Sequence, residues 1–166
     1  MSYELCRLTE TTLKKCDDVL RTEFWNAEPY WISEAAFTLL IVNLKDALSA
    51  LDKMKLRIIF TDDINSKGDV TDLVREMRNA AAHNGSVLRL VDPIRQNGLS
   101  FGVCVGRANL AKFDDIELKN EYDDDIAFFH GALRILLVRH IVRAVREAKQ
   151  NLRTAAAAHD YWIFTY

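Results

Sequence analysis

Apolar residues recur at the spacing of an amphipathic helix over three stretches in the first half of the chain. The first covers residues 3–24 and is followed by the aromatic, proline-containing segment 25–31. The second begins at Ser33, a residue type that often caps a helix N-terminus, and extends toward residue 60. These two stretches predict two long helices.

The third helix of this half is predicted to begin at Asp69 or Thr71, both common capping residue types. Its apolar residues are Leu73, Val74 and Met77. Three alanines at 80–82 favour helix, and Gly85 offers the left-handed position at which helices commonly stop. The helix should therefore end just after His83.

The period changes in the next segment. Apolar residues alternate with small or polar ones from Leu99 to Val105, which is typical of a strand. Asn97-Gly98 is a strong hairpin-turn signal, and Pro93 restricts the strand before it to an edge or a bend. We therefore predict a small β-hairpin near residues 87–105.

Helical spacing returns for the longest predicted helix, residues 125–153. Three aspartates at 123–125 stand where the helix dipole favours negative charge. The apolar stripe is formed by Ile126, Phe129, Leu133, Leu136, Leu137, Ile141, Val145 and Ala148. The apolar residues at 161–166 are predicted to pack onto the bundle or onto a second subunit.

These elements together predict an all-α fold, an antiparallel bundle of about four helices with the small hairpin inserted near 87–105. At 166 residues, one domain spanning 1–166 is the natural expectation. No apolar run approaches the length of a membrane span, so no membrane association is expected.

The cysteines and the N-terminus indicate a cytoplasmic location. Cys6, Cys16 and Cys104 are odd in number and widely spaced, as expected for free thiols in a reducing compartment. The N-terminal residues lack the basic and then apolar layout of a secretory signal.

The net charge of −2 gives no global attraction to nucleic acid, but the charges are distributed unevenly. An acidic block covers residues 114–125, and basic residues follow in the last helix. Arg139, Arg143 and Arg146 either lie on a solvated face or line an RNA groove. The acidic block is either solvated too or a patch for a basic partner.

The candidate chemistry lies in the run Arg78-Asn79-Ala80-Ala81-Ala82-His83. Arginine binds phosphate through a planar, permanently charged fork, and histidine transfers protons near neutral pH. Two other runs, from Arg134 to His140 and from Arg153 to His159, also place a histidine four to six residues after an arginine. The run at 78–83 differs from these in its adjacent asparagine, its alanines and the helix stop that should expose its histidine.

This run resembles the signature of HEPN domains, small helical modules that carry arginine, four to six residues, and then histidine. The resemblance covers about a dozen residues. It implies a metal-independent endoribonuclease of a toxin–antitoxin or antiphage defence system, without a cofactor. In it Arg78 would hold the phosphate, His83 would act as general base or acid, and Asn79 would orient either group. The implied partners are RNA, a second copy of the chain and an antitoxin protein.

Helix geometry bears on how Arg78 and His83 meet. Positions five apart on a straight helix diverge by roughly 140°. Either the helix unwinds near Asn84-Gly85, or a two-fold dimer brings both copies into one cleft. HEPN relatives generally use the dimer, and we therefore expect a composite site at a dimer interface.

Two further observations limit the expectation, and two alternatives stay open. Some HEPN toxins carry a tyrosine two residues after the histidine, where a partner enzyme modifies them, but here that position is Gly85. No metal site is expected, because no His-Glu-x-x-His or paired-aspartate motif with metal-ligand spacing stands on a predicted helix. The alternative function is a non-catalytic HEPN-type module that binds nucleotide or RNA or serves in assembly. A plain helical protein without a site is the third alternative.

Overall fold

The structure is a computed structural model that describes residues 2–65, 68–83, 86–92 and 97–159. The chain divides into two compact units. The helical unit consists of Met1–Phe60 and Arg143–Tyr166, and the mixed unit consists of Thr61–Val142. The expectation of a single domain over residues 1–166 stays a prediction.

Within the described residues the chain forms both helices and strands. The α-helices are α1 (Tyr3–Leu20), α2 (Trp31–Lys53), α3 (Val70–Ala82) and α4 (Arg143–Ala157). The strands are β1 (Leu90–Asp92), β2 (Asn97–Gly98), β3 (Gly102–Val105), β4 (Ala108–Phe113), β5 (Ile116–Asn120), β6 (Ile126–His130) and β7 (Leu133–Leu136). Short 3₁₀-helices cover Phe24–Asn26 and Val87–Arg89, and a π-helix covers Leu137–Val142.

The helical unit packs α1, α2 and α4 against one another. The apolar stripe predicted for α2 is fully buried, at Phe37, Leu40, Ile41 and Leu44 among others. The start of α2 differs from the prediction, because Ser33 lies inside the helix rather than at its N-cap. Its hydroxyl donates to the carbonyl oxygen of Phe24 at 2.7 Å, which ties the preceding 3₁₀ turn to α2.

The mixed unit is built on an antiparallel sheet with the strand order β3-β6-β7. Helix α3 packs against β6 and β7. A buried cluster includes Cys104, Phe129 and Leu136, which come from the three strands of this sheet. This sheet is therefore the support on which α3, the helix that carries the candidate motif, is held.

The prediction of an all-α bundle is wrong, and its largest error is the long helix at 125–153. Residues 126–130 and 133–136 form β6 and β7, and α4 begins only at Arg143. Four consecutive residues of β6, from Ala127 to His130, are buried on both faces of the sheet. A strand buried on both faces loses its polar alternation, so its apolar residues matched helical spacing by chance. Gly131, at a φ of 57°, makes the turn to β7 that a helix excludes.

The predicted hairpin at 87–105 is also wrong in its pairing. Asn97-Gly98 is not the turn but strand β2, which pairs with β1 through Leu90 and Gly98. The predicted strand at 99–105 is present as β3, and it pairs with β6 instead of the preceding segment. Pro93 lies outside the described residues, as do Gly85 and the apolar segment at 161–166.

The acidic block holds a hairpin that was not predicted. Strands β4 and β5 pair antiparallel across a turn at Asp114-Asp115, and Asp114 has a φ of 51°. Aspartate tolerates the left-handed conformation better than most residues, which suits it to this turn. The acidic residues here therefore shape a turn rather than precede a helix.

Candidate functional site

Helix α3 has a well-defined start. Asp69 is its N-cap, as one of the two predicted alternatives, and accepts from the Asp72 backbone N–H at 3.1 Å. The Asp72 carboxylate accepts in turn from the Asp69 backbone N–H at 3.4 Å, which completes a capping box. The predicted apolar face, with Leu73 and Met77, is buried.

The other end of α3 is held by a residue from outside the helix. The Arg89 guanidinium donates through Nε to the Ala80 carbonyl at 2.7 Å and through Nη2 to the Ala81 carbonyl at 3.0 Å. These are two of the carbonyls that a helix leaves without internal partners at its C-terminus. The helix ends at Ala82, and His83 is extended, with a φ of −124°.

This helix end brings Arg78 and His83 of the same chain together. The Arg78 Nη1 atom lies 3.2 Å from His83 Nε2 and donates to Asn79 Oδ1 at 3.3 Å. The divergence of roughly 140° expected for a straight helix does not apply, because the chain leaves the helix one residue before His83. The helix ends before His83, whereas the sequence placed the unwinding at Asn84-Gly85, which lies outside the described residues. The composite site at a dimer interface stays a prediction.

The contact with Arg78 determines which tautomer of the His83 imidazole fits this arrangement. A guanidinium has only donors and stays protonated, so the Nε2 atom facing it must be the acceptor, with the imidazole proton on Nδ1. His83 is exposed, whereas Arg78 is half-buried, and its buried Nε has no hydrogen-bond partner among the described residues. The pair thus combines a positioned cation with an accessible, unprotonated imidazole nitrogen.

In the second arginine–histidine run, Arg134 to His140, the histidine has a structural role. His140 is fully buried, and its Nδ1 accepts from the Leu136 backbone N–H at 3.1 Å. Its Nε2 therefore carries the proton and donates to the Asp62 carbonyl at 3.0 Å. Burial lowers the pKa of His140, which favours this neutral form. A histidine engaged on both nitrogens is poorly placed to serve a substrate.

The first of the three arginines assigned to an RNA groove is engaged within the protein. Arg139 pairs with the carboxylates of Asp124 and Asp125, each at 3.0 Å, and its guanidinium carbon lies 3.8 Å from the centre of the Tyr122 ring. Asp125 also accepts from the backbone N–H groups of Ile126 and Val138, each at 2.8 Å. Arg139 therefore stabilises the mixed unit around a buried carboxylate.

The other two arginines lie on α4 in the helical unit. Arg143 pairs with Glu147 at 2.7 Å and stacks on the Phe60 ring at 3.9 Å. Arg146 is exposed. An RNA groove along these three residues stays a prediction, and Arg146 is its most accessible member.

Searches of protein-family models, of curated proteins and of solved structures found no match to this chain. The resemblance to HEPN domains therefore rests on the residues around Arg78 and His83. In the part of the chain that the structure describes, no helix is long and apolar enough to span a bilayer. Among the same residues, no three His, Cys, Asp or Glu side chains are grouped so as to hold a metal ion.

Sequence reasoning missed two residues close to this site. Arg89 caps α3 from a 3₁₀ turn, and no motif marks it, because the capping contact depends on how the chain folds back. His130 is fully buried in β6, where burial lowers its pKa to about 4. Its position directly after an apolar run, Ile126 to Phe129, was the available signal that it belongs to the core.

Proposed function

We propose that this chain is a metal-independent endoribonuclease that acts through Arg78, Asn79 and His83. The observation that carries the proposal is the 3.2 Å contact between Arg78 Nη1 and His83 Nε2 at an exposed helix end. It combines the two groups that cleavage of an RNA phosphodiester needs, a fixed cation and an accessible proton acceptor. The resemblance of the run at 78–83 to the HEPN signature points to the same chemistry.

In the proposed reaction a phosphate of RNA takes hydrogen bonds from Arg78, which releases the Nε2 atom of His83. That atom accepts the proton of the 2′-hydroxyl while the 2′-oxygen attacks the adjacent phosphorus. The bond to the 5′-oxygen breaks, and that oxygen takes a proton from the imidazolium or from water. The products are a 2′,3′-cyclic phosphate and a 5′-hydroxyl. General acid–base catalysis of this kind is typically worth roughly 10²–10⁴-fold in rate.

The biological setting follows the resemblance. We propose that the enzyme is cytoplasmic, belongs to a toxin–antitoxin or antiphage defence system, and has RNA, an antitoxin protein and a second copy of itself as partners. Arg78 and His83 of one chain are already in contact, so helix geometry does not require a second chain to complete the pair. A homodimer would instead bring two such pairs into one cleft.

The test is cleavage of labelled total RNA or tRNA in the presence of EDTA. We expect the wild type to leave cyclic phosphate ends and His83→Ala to be slower by about 100-fold or more. His159→Ala is the matched control, since His159 is also exposed and lies in the helical unit. Equal cleavage by wild type and His83→Ala would refute the assignment.

A non-catalytic module that binds nucleotide or RNA is the second candidate. The favouring observation is that Arg78 is held by Asn79 as well as by His83, so its guanidinium stays positioned without the imidazole. Such a module should bind RNA equally well with His83→Ala and lose affinity with Arg78→Ala. Absence of cleavage together with this binding pattern would favour it over the nuclease.

A further inference from the structure

An open cleft of about 370 Å³ lies within the mixed unit beside the candidate site. Ser86, Val87, Arg89 and Leu99 are among the residues that line it. The Ser86 backbone N–H donates to the His83 carbonyl at 2.9 Å, so one lining residue of the cleft is in direct contact with a residue of the candidate site. Its volume is at the small end of the range of about 300–1,000 Å³ found for small-molecule sites.

Arg89 gives this cleft a cation with a fixed orientation. Its Nε and Nη2 atoms donate to the carbonyls of Ala80 and Ala81, which occupies one edge of the planar guanidinium. One N–H of Nη1 and the second N–H of Nη2 lie parallel on the next edge, and among the described residues the hydrogen bonds of this guanidinium are those to Ala80 and Ala81. An arginine already ordered by the protein loses little side-chain entropy when it binds a ligand.

The chemistry of that free edge favours a phosphate. Two parallel N–H groups match two phosphate oxygens, and charge-assisted hydrogen bonds of this kind are the strong ones. Val87, with 76% of its surface exposed, and Leu99 supply aliphatic surface for a sugar or a base. The carbonyls that hold Arg89 belong to residues between Asn79 and His83, so the Arg89 cleft and the Arg78–His83 pair share one helix end.

We propose that this cleft binds the nucleotide next to the scissile phosphodiester of single-stranded RNA, with the phosphate of that nucleotide on Arg89. The inference rests on the proposed function and extends it to the substrate. The cleft has room for one nucleotide rather than a duplex, and unpaired nucleotides are the usual targets of specific RNA recognition. The substrate class is therefore an oligonucleotide with at least one phosphate beyond the one that is cleaved.

The experiment measures binding separately from cleavage. The probe is a fluorescein-labelled hexamer of 2′-O-methyluridine, which resists cleavage because the attacking hydroxyl is blocked. Fluorescence anisotropy gives its Kd for wild type, Val87→Glu and Val105→Glu. Val105 is also exposed, at 57%, and does not line the cleft, so its variant is the control for the same charge change.

We expect Val87→Glu to weaken binding by about tenfold or more, the order of one lost charge-assisted contact, and Val105→Glu to change Kd by less than about twofold. Arg89→Met should weaken binding too and reduce the slope of log K against log salt by about 0.7. Because Arg89 also caps α3, Arg89→Met could fail to fold. In that case the comparison of Val87→Glu with Val105→Glu alone tests the cleft.

Equal Kd values for Val87→Glu and Val105→Glu, or no binding by the wild type, would overturn the proposed cleft. If no variant cleaves RNA but Val87→Glu selectively loses binding, the cleft stands and the nuclease is refuted. If cleavage depends on His83 while Val87→Glu behaves like its control, the nuclease stands and the cleft is refuted.

Discussion

Acidification should destabilise the mixed unit through His130. This side chain is fully buried, its ring centre lies 5.4 Å from that of Phe101, and burial lowers its pKa from 6.5 to about 4. The unfolded chain therefore binds a proton below about pH 6.5 that the folded chain does not bind until about pH 4. Stability is full above pH 6.5 and falls as the pH is lowered through this window.

The magnitude follows from the width of the window. The interval between 6.5 and about 4 corresponds to about 3 kcal/mol at ~1.36 kcal/mol per pH unit. The same linkage gives a loss of about 1.4 kcal/mol at pH 5.5 and about 2.6 kcal/mol at pH 4.5. A variant without a titratable ring, His130→Phe, should lack this part of the acid sensitivity.

The assay is urea unfolding at pH 7.5, 6.5, 5.5 and 4.5, read by deuterium labelling of a peptide that covers residues 126–136. His140 and the carboxylates titrate in both proteins, so the difference between wild type and His130→Phe isolates His130. We expect the free energy of unfolding of His130→Phe to rise relative to that of the wild type by about 2.6 kcal/mol between pH 7.5 and pH 4.5. Parallel curves for the two proteins would refute the reasoning, as would steeper acid sensitivity in the variant.

Two further substitutions test the packing around the sheet by urea unfolding at pH 7.5. Asp125→Ala should lower the free energy of unfolding by about 3–5 kcal/mol, because it breaks the 3.0 Å pair with Arg139 and leaves the backbone N–H groups of Ile126 and Val138 without their acceptor. A reduction below about 1 kcal/mol would contradict this role. Gly131→Ala should lower the free energy of unfolding by at least about 2 kcal/mol. The φ of Gly131 is 57°, and a Cβ at this position would come within 2.6 Å of the Arg89 carbonyl carbon. Unchanged stability would show that this close approach relaxes.

The helices of the first half were predictable because each has one apolar face. The stripes of α1, α2 and α3 face a single layer of packing, so their 3.6-residue period survives in the sequence. The residues of β6 face packing on both sides, and nothing polar marks the strand. Asn97-Gly98 failed as a turn for a different reason, since the pairing of β3 with β6 spans a long stretch of sequence.

The candidate site was predictable in its residues and not in its geometry. Arg78, Asn79 and His83 were identified by spacing and residue type. Their contact was not, because it requires the helix to end at Ala82 rather than after His83. Arg89 helps to define that end from seven residues beyond Ala82, and no local pattern encodes such a tertiary capping contact.

The order of the two units along the chain has a consequence for synthesis. The mixed unit is one continuous segment, whereas the helical unit is split between residues before Thr61 and after Val142. A ribosome adds about 5–20 residues per second, so several seconds separate the emergence of α2 from that of α4. During that interval α1 and α2 present the apolar surface that α4 later covers, and the mixed unit is complete in sequence once Val142 has been added, just before α4. Translation that stops before α4 would therefore leave the helical unit exposed to chaperones and proteases and the candidate site intact.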